Sequence, residues 1–256
     1  MIGTPYPPPI HQLHLQSITA YTQASTELIN QLMMKKLFSE VFKFLQDLDA
    51  NNQREWFNEN KTRFQDLQVN ILDWIAILQS QLAQYDEKML DISPKNALFR
   101  IHRDARFSKG KAPYKTHFGI HLVSSGNRSD FTRAGFYIHI EPGASYIAGG
   151  AHAPSPEWLK SIRTNFIEHG DEFLKIIHQP TFKKYLTIKG EQLVRPPKGY
   201  SGDEPFIDLL KYKTLIARHE LTDKIVCSDQ FILECMNTFN AYKPFRDFLN
   251  RPALIQ

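Results

Sequence analysis

The apolar residues of this chain change their period twice, and that limits the folds open to it. Between Leu37 and Leu48 they fall at three- and four-residue steps, as Leu37, Val41, Phe44, Leu45 and Leu48. After Asp49-Ala50-Asn51-Asn52 the same spacing returns in Trp56 or Phe57, Phe64, Leu67, Ile71, Trp74 or Ile75, Leu78 and Leu82. Two amphipathic helices follow, the second over about Gln53–Gln84, with the Asn/Asp cluster as the turn of a helical hairpin. Beyond Ser93-Pro94 the period becomes two. Phe99 and Ile101 alternate with Leu98, Arg100 and His102; Phe118, Ile120 and Leu122 with His117, Gly119 and His121; Phe136, Ile138 and Ile140 with Tyr137, His139 and Glu141. These segments read as strands over 98–107, 116–123 and 135–141, with a fourth at 145–148. Their short connections make the sheet antiparallel, with one apolar face to receive the helices.

The helical period then resumes. Ser155-Pro156-Glu157 has the cap and first-turn proline of a helix start. Short helices are expected at 171–178, 181–185 and 205–211, an extended piece at 193–197, a return to the sheet at 214–219, and a last helix over about 228–249. The fold class is therefore α+β: an antiparallel sheet with an N-terminal helical hairpin and C-terminal helices on one face. Residues 1–32, with Pro5, Pro7, Pro8 and Pro9 and no charge before Lys35 except Glu27, read as a disordered or extraneous extension. Residues 33–256 form the single domain. No apolar run suits a membrane span. Cys227 and Cys235 read as inert core thiols of a reducing compartment, so a soluble, cytoplasmic protein is expected.

Charge is concentrated in one place. Arg100, Arg103, Arg106, Lys109, Lys111 and Lys115 face Asp104 alone, a local +5 in a chain whose formal net charge is +4. Arginine forks and mobile lysines suit phosphate or carboxylate, so these six residues and Tyr114 are the candidate anion site, with Asp104 orienting the arginines. Arg103 falls on the apolar phase and needs a partner, for which Asp104, Glu141 and Glu55 are candidates. The polar face of the sheet gathers histidines. Should chemistry occur there, His139 with Glu141, His117, or Asp104 are the acid–base candidates. Imidazole and carboxylate from His117, His121, His139, Glu141 or His152 would suit zinc or iron. No H-E-x-x-H or H-x-D string supports that, so no metal and no particular cofactor is assigned.

Several motifs fail in context. His102-Arg103-Asp104 lacks the downstream Asn of a kinase catalytic loop, Gly110-Lys111 lacks the strand–loop–helix frame of a P-loop, and no G-x-S-x-G occurs. An anionic small molecule is the expected partner; the alternative is a nucleic-acid or protein interaction module using the same basic loop.

Arg100, Arg103, Asp104, Arg106, Phe107, Lys111 and Tyr114 together resemble the R-x-x-R-D-x-R-F…K-x-x-Y signature of the family catalogued as domain of unknown function 2461. The resemblance runs from about Leu37 to Phe248. It includes Asn52-Gln53-Arg54-Glu55-Trp56-Phe57, Pro113-Tyr114-Lys115-Thr116-His117, Tyr137-Ile138-His139-Ile140-Glu141-Pro142-Gly143, Pro197-Lys198-Gly199-Tyr200 and Leu209-Leu210-Lys211. Gly110 departs from it, since members usually carry Asp or Asn there. The resemblance implies that these positions form a shared site, and it implies no activity.

Overall fold

The computed structural model describes residues 36–104, 112–130 and 132–251; the expectations for 1–32 and for Arg106, Lys109 and Lys111 lie outside them. Helix α1 covers residues 36–50, and its whole predicted stripe is buried. The second helix is two, α2 (Arg54–Glu59) and α3 (Lys61–Leu82). Asn60 separates them: its side-chain amide donates to the Trp56 carbonyl at 2.9 Å, and its backbone leaves helical geometry. A short polar side chain that bonds the local backbone competes with the helical ladder. The α3 stripe, Phe64, Leu67, Ile71, Trp74, Ile75, Leu78 and Leu82, faces the core.

A short 3₁₀ turn (Glu87–Leu90) and α4 (Pro94–Ala97) lead to the sheet. Its strands are β1 (Phe118–Leu122), β2 (Phe136–Ile140), β3 (Tyr146–Ala151), β4 (Thr187–Lys189) and β5 (Leu215–Glu220), in spatial order β1-β2-β3-β5-β4, with every pairing antiparallel. α5 (Pro156–His178) starts on Ser155, whose Oγ accepts from the Trp158 N–H at 3.2 Å. The predicted separate helix at 171–178 is the second half of α5, beyond a kink at His169. α6 (Pro180–Tyr185), α7 (Ile207–Leu210), α8 (Asp223–Val226) and α9 (Phe231–Leu249) complete the described elements. None of these helices is long and apolar enough to cross a membrane.

Two strand expectations need correction. Residues 98–107 form no regular strand over their described part; 98–104 is tied down by isolated bridges from Leu98 to Ile120 and from His102 to Tyr114. Leu98 and Ile101 are both buried while Phe99 turns to the opposite side of the sheet, a three-residue spacing that breaks the alternation. The extended piece expected at 193–197 is replaced by β4 at Thr187–Lys189, an edge strand too short to show a period.

The apolar face of the sheet is covered by α9. Tyr242 of α9 is buried and its hydroxyl donates to the Gly135 carbonyl at 2.7 Å. Phe239 meets Phe136 edge-on at 5.2 Å. At the N-terminal end of α9, Phe231 stacks on Trp74 at 5.1 Å, and Phe38 closes edge-on against both. α5 adds Phe166 and Phe173 against Phe248. With helices filling this side, the other face of the sheet carries the polar residues.

Candidate functional site

Strand register decides which polar residues meet. Phe118 pairs with Ile140 and Gly119 with His139. Extending that ladder by one residue sets His117 across from Glu141, with His139 diagonal to it. The rings of His117 and His139 lie 4.2 Å apart. His139 Nε2 is 2.8 Å from Glu141 Oε2, and its Nδ1 is 3.1 Å from the Tyr137 hydroxyl. Thr116 Oγ1 donates to the other carboxylate oxygen at 3.1 Å. Tyr146 of β3 stacks on His139 at 4.6 Å and 11°.

Protonation follows from this packing. Burial, then the neighbouring His139, pushes His117 down to about 4, so it is neutral at pH 7. Burial also lowers His139, outweighing the pull of Glu141. For Glu141, burial acts upward, but bonds from His139 and Thr116 outweigh it and hold the carboxyl below its usual range. Burial pushes the Tyr137 phenol up, so it stays protonated. A consistent chain results: Tyr137 O–H donates to His139 Nδ1, and His139 Nε2–H donates to Glu141.

Beside this cluster the polar face is concave, with a cavity of about 730 Å³, within the size range of small-molecule sites. Small residues make the room. Gly119 is one of them: a Cβ there would lie 2.7 Å from the Tyr137 hydroxyl and 3.3 Å from Phe99. The charged lining residues are Lys115, Arg133, Lys189 and Arg218 against Glu220, with His117, His121 and His152 among the polar ones. Arg218 stacks on Tyr146 at 3.6 Å and pairs with Glu220 at 2.8 Å.

The predicted anion residues divide. Lys115 lines the cavity, with its ammonium 5.4 Å from the Phe99 ring centre; Arg128 sits 5.7 Å from the same centre. Burial, then Arg100, Arg103 and Arg128, lower the Lys115 pKa, which marks a concentration of positive charge. Arg100 is exposed and lies 3.6 Å from Asp104; neither lines the cavity. Arg103 Nε donates to the Tyr114 carbonyl at 2.9 Å, not to a carboxylate from Asp104, Glu141 or Glu55. Tyr114 is buried, with its ring stacked on Phe57 at 4.0 Å. Asn52 exchanges two backbone bonds with Tyr114, at 3.1 and 3.2 Å, and so anchors the C-terminal end of the basic segment to the helical hairpin.

Arg128, Arg133, Lys189, Arg218, Glu220 and Tyr146 are site residues the sequence reading missed. Arg218 alternates with Ala217 and His219 in the segment already read as returning to the sheet, 214–219, and Glu220 falls one residue beyond it. That the face of Arg218 and Glu220 adjoins Tyr146 and Ala148 depends on the β3–β5 register. Both cysteines are free, and Cys235 is buried.

His121 supplies a pH prediction. It is buried, and its Nδ1 lies 2.8 Å from the Arg128 carbonyl. Burial lowers its pKa, against smaller upward effects of that carbonyl and of Asp130; Tyr137 and Arg133 also face the cavity near it. An imidazole of unfolded pKa about 6.5 that is lowered on folding contributes stability that is present above pH 6.5 and lost as pH falls toward the folded value. The melting temperature should therefore drop between pH 7 and pH 5, and drop less in His121→Gln. His117 and His139 shift in the same direction in both proteins, so the difference isolates His121. Parallel pH curves would count against it.

No curated protein and no solved structure matches the chain significantly. The family described as conserved hypothetical protein (DUF2461) matches residues 40–248, a span that holds α2 to β5, the histidine–glutamate cluster and every charged residue of the cavity. The chain belongs to that family.

Proposed function

We propose that the polar face of the sheet binds a small phosphorylated or carboxylated molecule, in a protein acting in the cytoplasm, which suits its two free thiols. Lys115 carries this reading. Its ammonium is half-buried at the cavity, among Arg100, Arg103 and Arg128, and it has no ion-pair partner among the described residues. A partly desolvated cation surrounded by cations is costly by itself and becomes favourable when an anion occupies the space. Lys189, on the opposite rim, likewise lacks an ion-pair partner among the described residues, whereas Arg218 is neutralised by Glu220. The aromatic walls, Phe99, Tyr137 and Tyr146, suit the planar or apolar part of such a ligand. His139, held between Tyr137 and Glu141, and His117 are the groups beside the cavity suited to move a proton on it.

The test is a thermal-shift and calorimetric screen of inorganic phosphate, nucleotides, sugar phosphates and dicarboxylates. At a hundredfold excess over its dissociation constant, a ligand stabilises the folded state by about 2.7 kcal/mol. Lys115→Ala should weaken the best ligand about tenfold or more, the scale of one charge-assisted contact. No shift by any small anion, or equal affinity in the variant, overturns the reading. Binding of oligonucleotides alone, with a steep salt dependence, replaces it with the interaction module.

A further inference from the structure

We propose that His117, His139 and Glu141 form a binding site for one divalent first-row transition metal ion of the zinc or iron(II) class. The donor atoms of the three side chains all lie within 4.8 Å of one another. Donors around a tetrahedral ion with bonds of about 2.0–2.1 Å sit roughly 3.4 Å apart, so modest side-chain rotations bring all three onto one centre. Two imidazoles and a carboxylate are a donor set that recurs at catalytic zinc and at non-haem iron(II), where three protein ligands leave coordination positions open.

The surroundings have the outer-sphere features that such ligands need. A ligating histidine usually donates its other ring N–H to a fixed acceptor, and ligating carboxylates are themselves hydrogen-bonded. His139 has the Tyr137 hydroxyl 3.1 Å from Nδ1, which leaves Nε2 on the side of Glu141 and His117. Thr116 occupies Oε1 of Glu141 and leaves Oε2 facing His139. Tyr146 fixes the plane of the His139 ring by stacking. An ion on Nε2 requires the other neutral tautomer, with the ring proton on Nδ1 donating to the Tyr137 hydroxyl oxygen; the His139–Glu141 hydrogen bond is what these groups make when the proton sits on Nε2 instead. His121 is outside the set, its Nδ1 being engaged by the Arg128 carbonyl.

This site is separate from the anion reading, because its ligands are not the cations of the cavity. The anion-binding part of that reading is compatible with it: a divalent ion with one carboxylate keeps a positive charge, and an open coordination position suits an anionic ligand, whereas with the ion bound His117 and His139 are its ligands and not proton carriers.

The full chain, treated with chelator and dialysed into buffer free of phosphate and carboxylate, is titrated with Zn(II) and Co(II). Bound metal is counted by elemental analysis, and cobalt coordination is read from visible absorption. Wild type should bind one ion more per chain than His139→Ala or Glu141→Gln, with about 100-fold or greater loss of affinity in each. Tyr137→Phe should cost roughly 10-fold or more, the scale of outer-sphere changes. His178→Ala, on the exposed end of α5, should bind as wild type does. Where His139→Ala fails to fold by circular dichroism, Glu141→Gln and His117→Asn carry the comparison. Equal uptake by wild type and these variants, or no uptake by any, overturns the proposal. The anion screen can fail or succeed without changing that count.

Discussion

Arg246→Ala should lower the unfolding free energy by about 3 kcal/mol, measured as a shift in urea midpoint at constant slope. Arg246 lies on α9 with its side chain only 8% exposed, and its guanidinium pairs with Asp86, the cap of the 3₁₀ turn after α3, and with the neighbouring Asp247. Burial alone would lower the guanidinium pKa, but bonds and charges from Asp247 and Asp86 outweigh it and raise the value. Deleting one partner of a buried pair costs about 3–5 kcal/mol because the other charge stays buried without compensation. The lower end applies, since Asp247 is about half-exposed and keeps Lys243 at 2.7 Å. Asp86, at 13% exposure, bears most of the loss. Arg246→Met should recover part of the packing over Phe239 but not the charge. Adding Asp86→Leu to Arg246→Met should restore part of the remaining loss, because it removes the uncompensated carboxylate but also its 3.1 Å bond from the Lys88 N–H. A loss below about 1 kcal/mol in Arg246→Ala, the value of a surface pair, would remove this clamp from the account.

Gly149→Val should destabilise by about 3 kcal/mol or more, the upper end of the usual overpacking penalty. A Cβ on Gly149 would lie 2.3 Å from the Tyr242 ring and hydroxyl and 2.4 Å from the Gly135 carbonyl. Neither neighbour can retreat, because the hydroxyl donates to that carbonyl and Tyr242 is buried between β3 and the rest of α9. The strand would have to leave the helix, and its opposite face holds Tyr146 and Ala148 in the cavity. Gly149→Ala should cost less than valine in wild type, and less again in a Tyr242→Leu background. A double-mutant cycle reads that coupling directly. Additive penalties would show that the close approach is relieved elsewhere.

Where burial is one-sided and long, the fold was legible. The stripes of α1 and α3 and the alternation of β1 and β2 follow from the period alone, because each element packs one continuous face. The reading failed where side-chain bonding or pairing overrides the period. Asn60 splits a helix by bonding Trp56, Phe99 leaves the phase of Ile101, and three-residue β4 is defined by its partner. The site shows the same division. His117, Tyr137, His139 and Glu141 share a sheet face that alternation exposes, so they could be grouped from sequence. That His117 and Glu141 meet across strands required the register. The strongest linear signal, the charge between Arg100 and Lys115, places Lys115 on the cavity, while Arg103 serves the Tyr114 backbone. Lys189 and Arg218 lie outside that stretch, and pairing of distant strands alone brings them to the same cavity.

The spatial order β1-β2-β3-β5-β4 also sets an order of assembly. The histidine–glutamate cluster belongs to one pair of consecutive strands, joined through residues 123–135, which pay less chain entropy to meet than β3 and β5 do. The cationic far wall has a different history. β5 joins β3 through pairs such as Ala151–Leu215 and Tyr146–Glu220, 64 to 74 positions apart, after α5, α6 and α7 have intervened. β4, although earlier in the chain, has β5 as its sole strand neighbour and cannot enter the sheet until β5 arrives. Non-local pairings of this kind form late. During synthesis the histidine–glutamate cluster and Lys115 thus precede Lys189 and Arg218, and a chain stopped before residue 215 would lack the far wall of the cavity.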